Sequence, residues 1–140
     1  MIRSVLDTNV LVSAFLFGGF PLKIVELAEA GTVELYTSED ALAELLGVLS
    51  RPEFENRLET LRLSARTITD LYRQLCILVT PSEPPGICSD LNDDQFIGIA
   101  LGAEADVIVS GDRHLLACSQ SSPVPIVTVS EFLALVKEIP

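Results

Sequence analysis

Short apolar runs alternate along the chain with longer stretches whose apolar residues recur at helical spacing. Ile2 to Leu6 is a run of strand length, and Asp7, Thr8 and Asn9 follow it at a turn into a helix. From Pro21 to Ala30, Leu22, Val25, Leu27 and Ala28 keep helical spacing, and Gly31 supplies a stop. Val33 to Tyr36 reads as a second strand. Thr37 and Ser38 offer N-caps, Glu39 and Asp40 occupy the favourable first turn, and the helix runs towards Ser50. Pro52 discourages continuation through Arg51.

A short helix from Glu53 to Leu58 and a longer one from Ser64 to Cys76 come next, then a third strand, Ile77 to Val79. Pro81, Pro84, Pro85 and Gly86 mark an irregular connection. A helix from Asp93 to about Ala103 precedes a fourth strand, Asp106 to Val109, which Gly111-Asp112 breaks. Pro125 to Val129 is a fifth strand, and Ser130 caps a last helix ending near Lys137. Strands separated by helices predict an α/β three-layer sandwich, Rossmann-like, with a mainly parallel central sheet flanked by helices. Ligands of such sheets bind beyond the carboxyl ends of the strands.

Length and composition narrow this further. A chain of 140 residues with 49% hydrophobic content is expected to form one domain over residues 1–140, with a core that needs no disulfides. No apolar run is long enough to span a membrane, and MIRSVLDTN lacks a signal-peptide pattern, so a cytoplasmic protein is expected. Cys76, Cys88 and Cys118 are widely spaced, form no C-x-x-C pair and read as reduced thiols. The net charge of −11 is unusual for a protein that binds phosphate backbones, unless acids are gathered around a cation. The basic residues Arg51, Arg57, Arg62, Arg66 and Arg73 fall in one stretch that either touches phosphates or lies on ordinary exposed helix faces.

Several acids stand where chemistry is expected. Asp7 directly follows the first strand, and Asp112 follows the fourth through Ser110 and Gly111. Each also fits a plain cap or turn role. If the two strands are adjacent, both carboxylates come within reach of one ion. Asp93 begins a helix whose i+3, i+4 and i+7 positions are Phe96, Ile97 and Ala100, so it needs a cap role, a partner or a cation. Asp90 and Asp94 are neighbours that either join it or remain solvated. Glu44 lies off the stripe Leu42, Leu45, Leu46 and Leu49, and pattern alone makes it a solvated glutamate.

Taken together, the segments VLDTNVLVSAF, SEDALAELLGVLSR and DLNDDQFIGIALGAEADVIVSGDRHLL resemble, in order and spacing from Val5 to Leu116, the successive motifs of PIN domains. The likeness is to the branch similar to VapC toxin components of toxin–antitoxin pairs. The resemblance implies a PIN-like nuclease fold and four catalytic acids around magnesium or manganese, falling on Asp7, Glu44, Asp93 and Asp112, with Asp94 a rival for the third place. It further implies supporting roles for Thr8, for Asn9 in orienting the first Asp, and for Ser110 near metal and phosphate. The function so implied is single-stranded RNA endonuclease, with an antitoxin partner, a homodimer and no membrane.

Phosphodiester hydrolysis at such a site needs no histidine or serine nucleophile, because a hard cation held by carboxylates activates water and stabilises phosphate charge. His114, the only histidine, reads as a surface or packing residue, and Cys88 beside hard oxygen ligands does not favour a soft metal. Two rivals stand beside this reading. One is an aspartyl phosphatase using Asp7 as nucleophile, although Asn9 occupies the position where that class places a second Asp. The other is a non-catalytic module that keeps the fold and acts through protein contacts.

Overall fold

The computed structural model describes residues 1–83 and 85–137; Pro84, assigned above to the irregular connection, lies outside them. Five strands form one sheet: β1 (Ile2–Leu6), β2 (Val33–Thr37), β3 (Ile77–Leu78), β4 (Val107–Val109) and β5 (Ile126–Val127). Their order is β3-β2-β1-β4-β5, and every pairing is parallel. The helices among the described residues are α1 (Thr8–Phe17), α2 (Gly19–Glu29), α3 (Glu39–Leu49), α4 (Glu55–Leu61), α5 (Ala65–Leu75), α6 (Leu91–Ala103), α7 (Arg113–Leu116) and α8 (Val129–Lys137), with a 3-10 turn at Pro52–Phe54.

Successive side chains of a strand point to opposite faces, so each strand feeds two cores. Leu6, Leu35, Val107 and Val109 pack with Leu11, Ile24, Leu42, Leu45, Ile68, Tyr72 and Phe132 from α1, α2, α3, α5 and α8. Val5, Tyr36, Ile108 and Ile126 pack on the other face with Phe96, Ile97, Ala100 and Leu115 from α6 and α7. The three-layer α/β sandwich expected from the strand–helix alternation is therefore the fold. No single helix among the described residues is long and apolar enough to cross a membrane.

Boundaries differ from expectation where local chemistry overrides periodicity. α1 is buried on most sides, so spacing does not mark its extent. α2 begins at Gly19 rather than Pro21: Gly18 and Gly19 turn the chain sharply at φ +73° and +68°, and a proline in the first turn sacrifices no intrahelical bond. α6 begins at Leu91 because the Asp90 carboxylate accepts from Asn92 N at 2.8 Å and caps it. Asp106 lies outside β4, its carboxylate accepting from Arg3 N at 2.9 Å. The cap of α8 is Thr128 rather than Ser130. Glu131 N donates to the Thr128 hydroxyl, and Thr128 N donates to the Glu131 carboxylate, a reciprocal capping box.

Candidate active site

β1 lies between β2 and β4, so the order of connections reverses at the β1–β4 boundary, where open α/β sheets bind ligands. Asp7 and Ser110 are the first residues past these two strands. Asp7 N donates to Val109 O at 3.1 Å, which locks the ends together. The Asp7 side chain is 3% exposed. Its Oδ1 accepts from Val10 N at 2.9 Å, capping α1, and its Oδ2 accepts from the Ser110 hydroxyl. Ser110 Oγ accepts in turn from Asp112 N at 2.9 Å, so one buried hydroxyl ties the first acid to the last. Asp112 caps α7 through His114 N at 2.8 Å. Asn9 makes no hydrogen bond to Asp7 among the described residues: Val10 N and Ser110 do the orienting expected of it.

The doublet on α6 separates cleanly. Asp94 is fully buried, and its carboxylate accepts from three backbone amides, Gly86 N at 3.0 Å, Ile87 N at 2.9 Å and Cys88 N at 3.0 Å. Those bonds anchor the connection that precedes α6 and leave Asp94 committed to structure. Asp93 is half-buried and lines a cavity of about 180 Å³ together with Asp7, Glu44, Asp90 and Asp112. Thr8 and Asn9 line it too. Glu44, expected from pattern to be solvated, is half-buried and accepts from the Thr8 hydroxyl.

Electrostatics follow from this crowding. Burial pushes the Asp7 carboxyl up to about 6, against the lowering effect of its Ser110 and Val10 bonds, and the nearby Asp112 and Asp93 charges push it further. Asp93 is raised as well, by burial first, then by Asp112, Asp90 and Glu44, with His114 opposing. A divalent cation would relieve this repulsion, and the donor set is all hard oxygen, which suits magnesium or manganese. Yet among the described residues no three carboxylate, imidazole or thiol side chains converge as a ready-made ligand set. Capping bonds hold Asp7, Asp90 and Asp112, and Glu44 is turned to Thr8. The donors fit a hard cation in kind and location, and ligation requires side-chain rotation.

A profile of the PIN domain matches residues 3–114. The chain belongs to the PIN-domain family. PIN domains are generally metal-dependent nucleases, so at a coarse level this member is a hydrolase of nuclease type. An uncharacterized protein of Methanocaldococcus jannaschii is 28% identical over 117 residues, spanning 83% of this chain and 74% of the relative. Two solved structures share the fold. The PAE2754 protein of Pyrobaculum aerophilum superposes with a TM-score of 0.57 at 12% identity, covering 97% of both chains. VapBC2 from Rickettsia felis, solved bound to a DNA fragment from their promoter, gives 0.59 at 16% identity, covering 91% of this chain and 98% of the other.

Within this PIN domain, the cavity wall also includes Val48, Asn92 and Phe96, which the motifs did not mark as site residues, and Arg51, the first of the arginines expected either to touch phosphates or to lie on exposed helix faces. A readable signal existed, since Glu44 and Val48 are one helical turn apart and Arg51 follows just past the end of α3. Cys88 and Cys118 sit beside the acids, lining a neighbouring cleft with Asp90, Asp93 and His114. Burial pushes the Cys88 thiol up to about 12, which removes thiolate character at neutral pH. Cys76 lies apart, in the partly buried fringe of the opposite core.

Proposed function

We propose that this PIN domain is a single-domain, divalent-metal-dependent endonuclease of single-stranded RNA, and that it is the cytoplasmic toxin of a VapBC-like pair. The observation that carries the reading is Asp7: a carboxylate buried at the sheet's switch point, raised to about 6, facing a cavity walled by four further acids. A buried carboxylate with like charges beside it is costly without a compensating cation.

Asp7, Asp93 and Asp112 would hold magnesium or manganese, with Glu44 as a further ligand or as the orienter of water. The bound ion would supply an activated water and charge stabilisation at the phosphate. Ser110 donates to Asp7 and accepts from Asp112 N, which ties the first acid to the last, while Thr8 donates to Glu44 in the cavity wall. Asp94 is left out of the set because its oxygens already serve three amides. A basic antitoxin segment would find charge complementarity in the acidic cavity, and a homodimer would build a shared RNA groove.

A non-catalytic module is favoured by one observation, the lack of a converged ligand set among the described residues. Cleavage separates the two readings. Labelled single-stranded RNA is incubated with magnesium or manganese and with wild type, Asp7→Asn or Asp112→Asn. The nuclease reading expects cleavage by wild type and at least about a hundred-fold loss in each variant, with circular dichroism unchanged. Full activity in either variant, or metal binding by wild type without cleavage, would reject it.

A further inference from the structure

The cavity has five acids in its wall and one cation among the described residues that line it, Arg51. An RNA strand brings more negative charge to this wall, on a chain that already carries −11. Acids alone repel the substrate they are to cleave, so the strand needs a cation at the cavity.

Arg51 is set up for that contact. Its backbone is fixed: φ −66° and ψ +144° are the extended values that Pro52 enforces on the residue before it. Arg51 N donates to Val48 O and Arg51 O accepts from Phe54 N, each at 3.1 Å. The side chain is free by contrast. It is 59% exposed, and its one ion pair among the described residues is a 4.0 Å contact with Glu53, itself 63% exposed. Such a pair is worth little and is easily exchanged for a better anion. Arg51 also forms no ion pair with the cavity acids among the described residues, so it does not act as their counter-charge.

The other arginines of the stretch are used or stand elsewhere. Arg57 Nε donates to Leu16 O at 2.7 Å, with its guanidinium 5.4 Å from the Phe17 ring centroid. Arg73 clasps both carboxylate oxygens of Glu39. Arg62 ends α4 in a left-handed cap, and Arg66 is exposed at the start of α5, neither on the cavity wall.

We infer that Arg51 is the substrate-binding cation of this site, its planar guanidinium taking a phosphate of the RNA strand next to the scissile one. The inference rests on the nuclease reading above. Arg51 follows the end of α3 by two residues and lines the same cavity wall as Glu44, so a phosphate it takes lies beside the acids. A guanidinium fork fits a phosphate in two parallel hydrogen bonds, which an ammonium cannot reproduce.

The test pairs cleavage with binding. Steady-state cleavage of a labelled single-stranded RNA is measured for wild type, Arg51→Gln, Arg51→Lys and Arg66→Gln. Fluorescence anisotropy of the same RNA is measured on Asp7→Asn with and without Arg51→Gln. Arg51→Gln is expected to raise KM and Kd about ten-fold and to lower the salt slope of binding by about 0.7, the share of one single-strand phosphate. Its kcat should stay within about two-fold, with Arg51→Lys between the two and Arg66→Gln like wild type. If wild type cleaves and Arg51→Gln keeps KM and Kd, the role of Arg51 is overturned while the nuclease stands. It is equally overturned if Arg51→Gln only lowers the metal concentration needed for activity. If wild type neither binds nor cleaves the RNA, the nuclease reading falls and Arg51's role with it.

Discussion

Asp93 and Asp94 show how two adjacent carboxylates on one helix come to stand in different surroundings. Helical spacing to Phe96, Ile97 and Ala100 points to Asp93 as the buried acid, but α6 is buried nearly all round from Asp94 to Ala100, so periodicity cannot rank the two. What ranks them is the loop of residues 86–88, whose amides converge on Asp94 and whose path no spacing rule reveals. Asp94→Asn should therefore destabilise the protein by about 2–3 kcal/mol, since it weakens three charge-assisted bonds and sets an amide group against donors. Asp93→Asn should leave the metal-free protein at least as stable, because it removes repulsion with Asp112, Asp90 and Glu44. Urea denaturation measures both, and the reverse ranking would contradict the assignment. Asp7 adds a pH signature. Its folded-state value near 6 exceeds the ordinary 3.8, so the native state binds more protons than the unfolded chain between those values. Stability of the metal-free protein should then fall as pH rises from about 4 to about 6, by up to about 3 kcal/mol from this group. The wild-type curve minus that of Asp7→Asn isolates the effect, and a difference that does not change across that window would refute it.

The strands were legible as short apolar runs because both faces of the sheet are covered, and helices such as α3 because one face is buried; the connections were not. Gly98 and Gly102 give the clearest case. Both fall inside the helix expected from Asp93 to about Ala103, and they let the segment of residues 80–82 lie directly on α6: Ser82 N donates to Gly98 O at 3.0 Å. A Cβ on Gly102 would stand 2.5 Å from Thr80 O and 3.3 Å from both Pro81 Cα and Ser82 N, all backbone atoms that cannot rotate away. Gly102→Ala is expected to cost about 1–3 kcal/mol despite the better helix propensity of alanine. Thermal unfolding would show a lowered Tm, and a rise would mean that the segment yields freely. This segment continues into the 86–88 loop and then into Asp90 and Asp93, so its seating on α6 bears on the acids. The motifs pointed to Asp7, Glu44, Asp93 and Asp112, which line one cavity, but did not mark the hydroxyls of Ser110 and Thr8 as hydrogen-bond partners of Asp7 and Glu44. Those contacts depend on the pairing of β1 with β4 and of α1 with α3.

The whole fold gathers five acids around one cavity at a sheet boundary. A parallel order of β3-β2-β1-β4-β5 brings the ends of β1 and β4 together, although Asp7 and Asp112 lie at opposite ends of the matched region. Alternation of strands and helices made the layers legible, and family motifs made the acids legible. Strand order, and hence the placing of the acids along the wall of one cavity, required the fold. The net charge of −11 fits this arrangement: part of it walls the cavity, where the proposed cation would offset it, and part is solvated surface. The most direct measurement is a crystal structure grown with manganese, with the ion located by its anomalous signal. The account predicts a peak bounded by Asp7, Asp93 and Asp112, with Asp94 still bonded to the amides of residues 86–88. An empty cavity at saturating manganese, or an ion held by Asp94 instead, would contradict it.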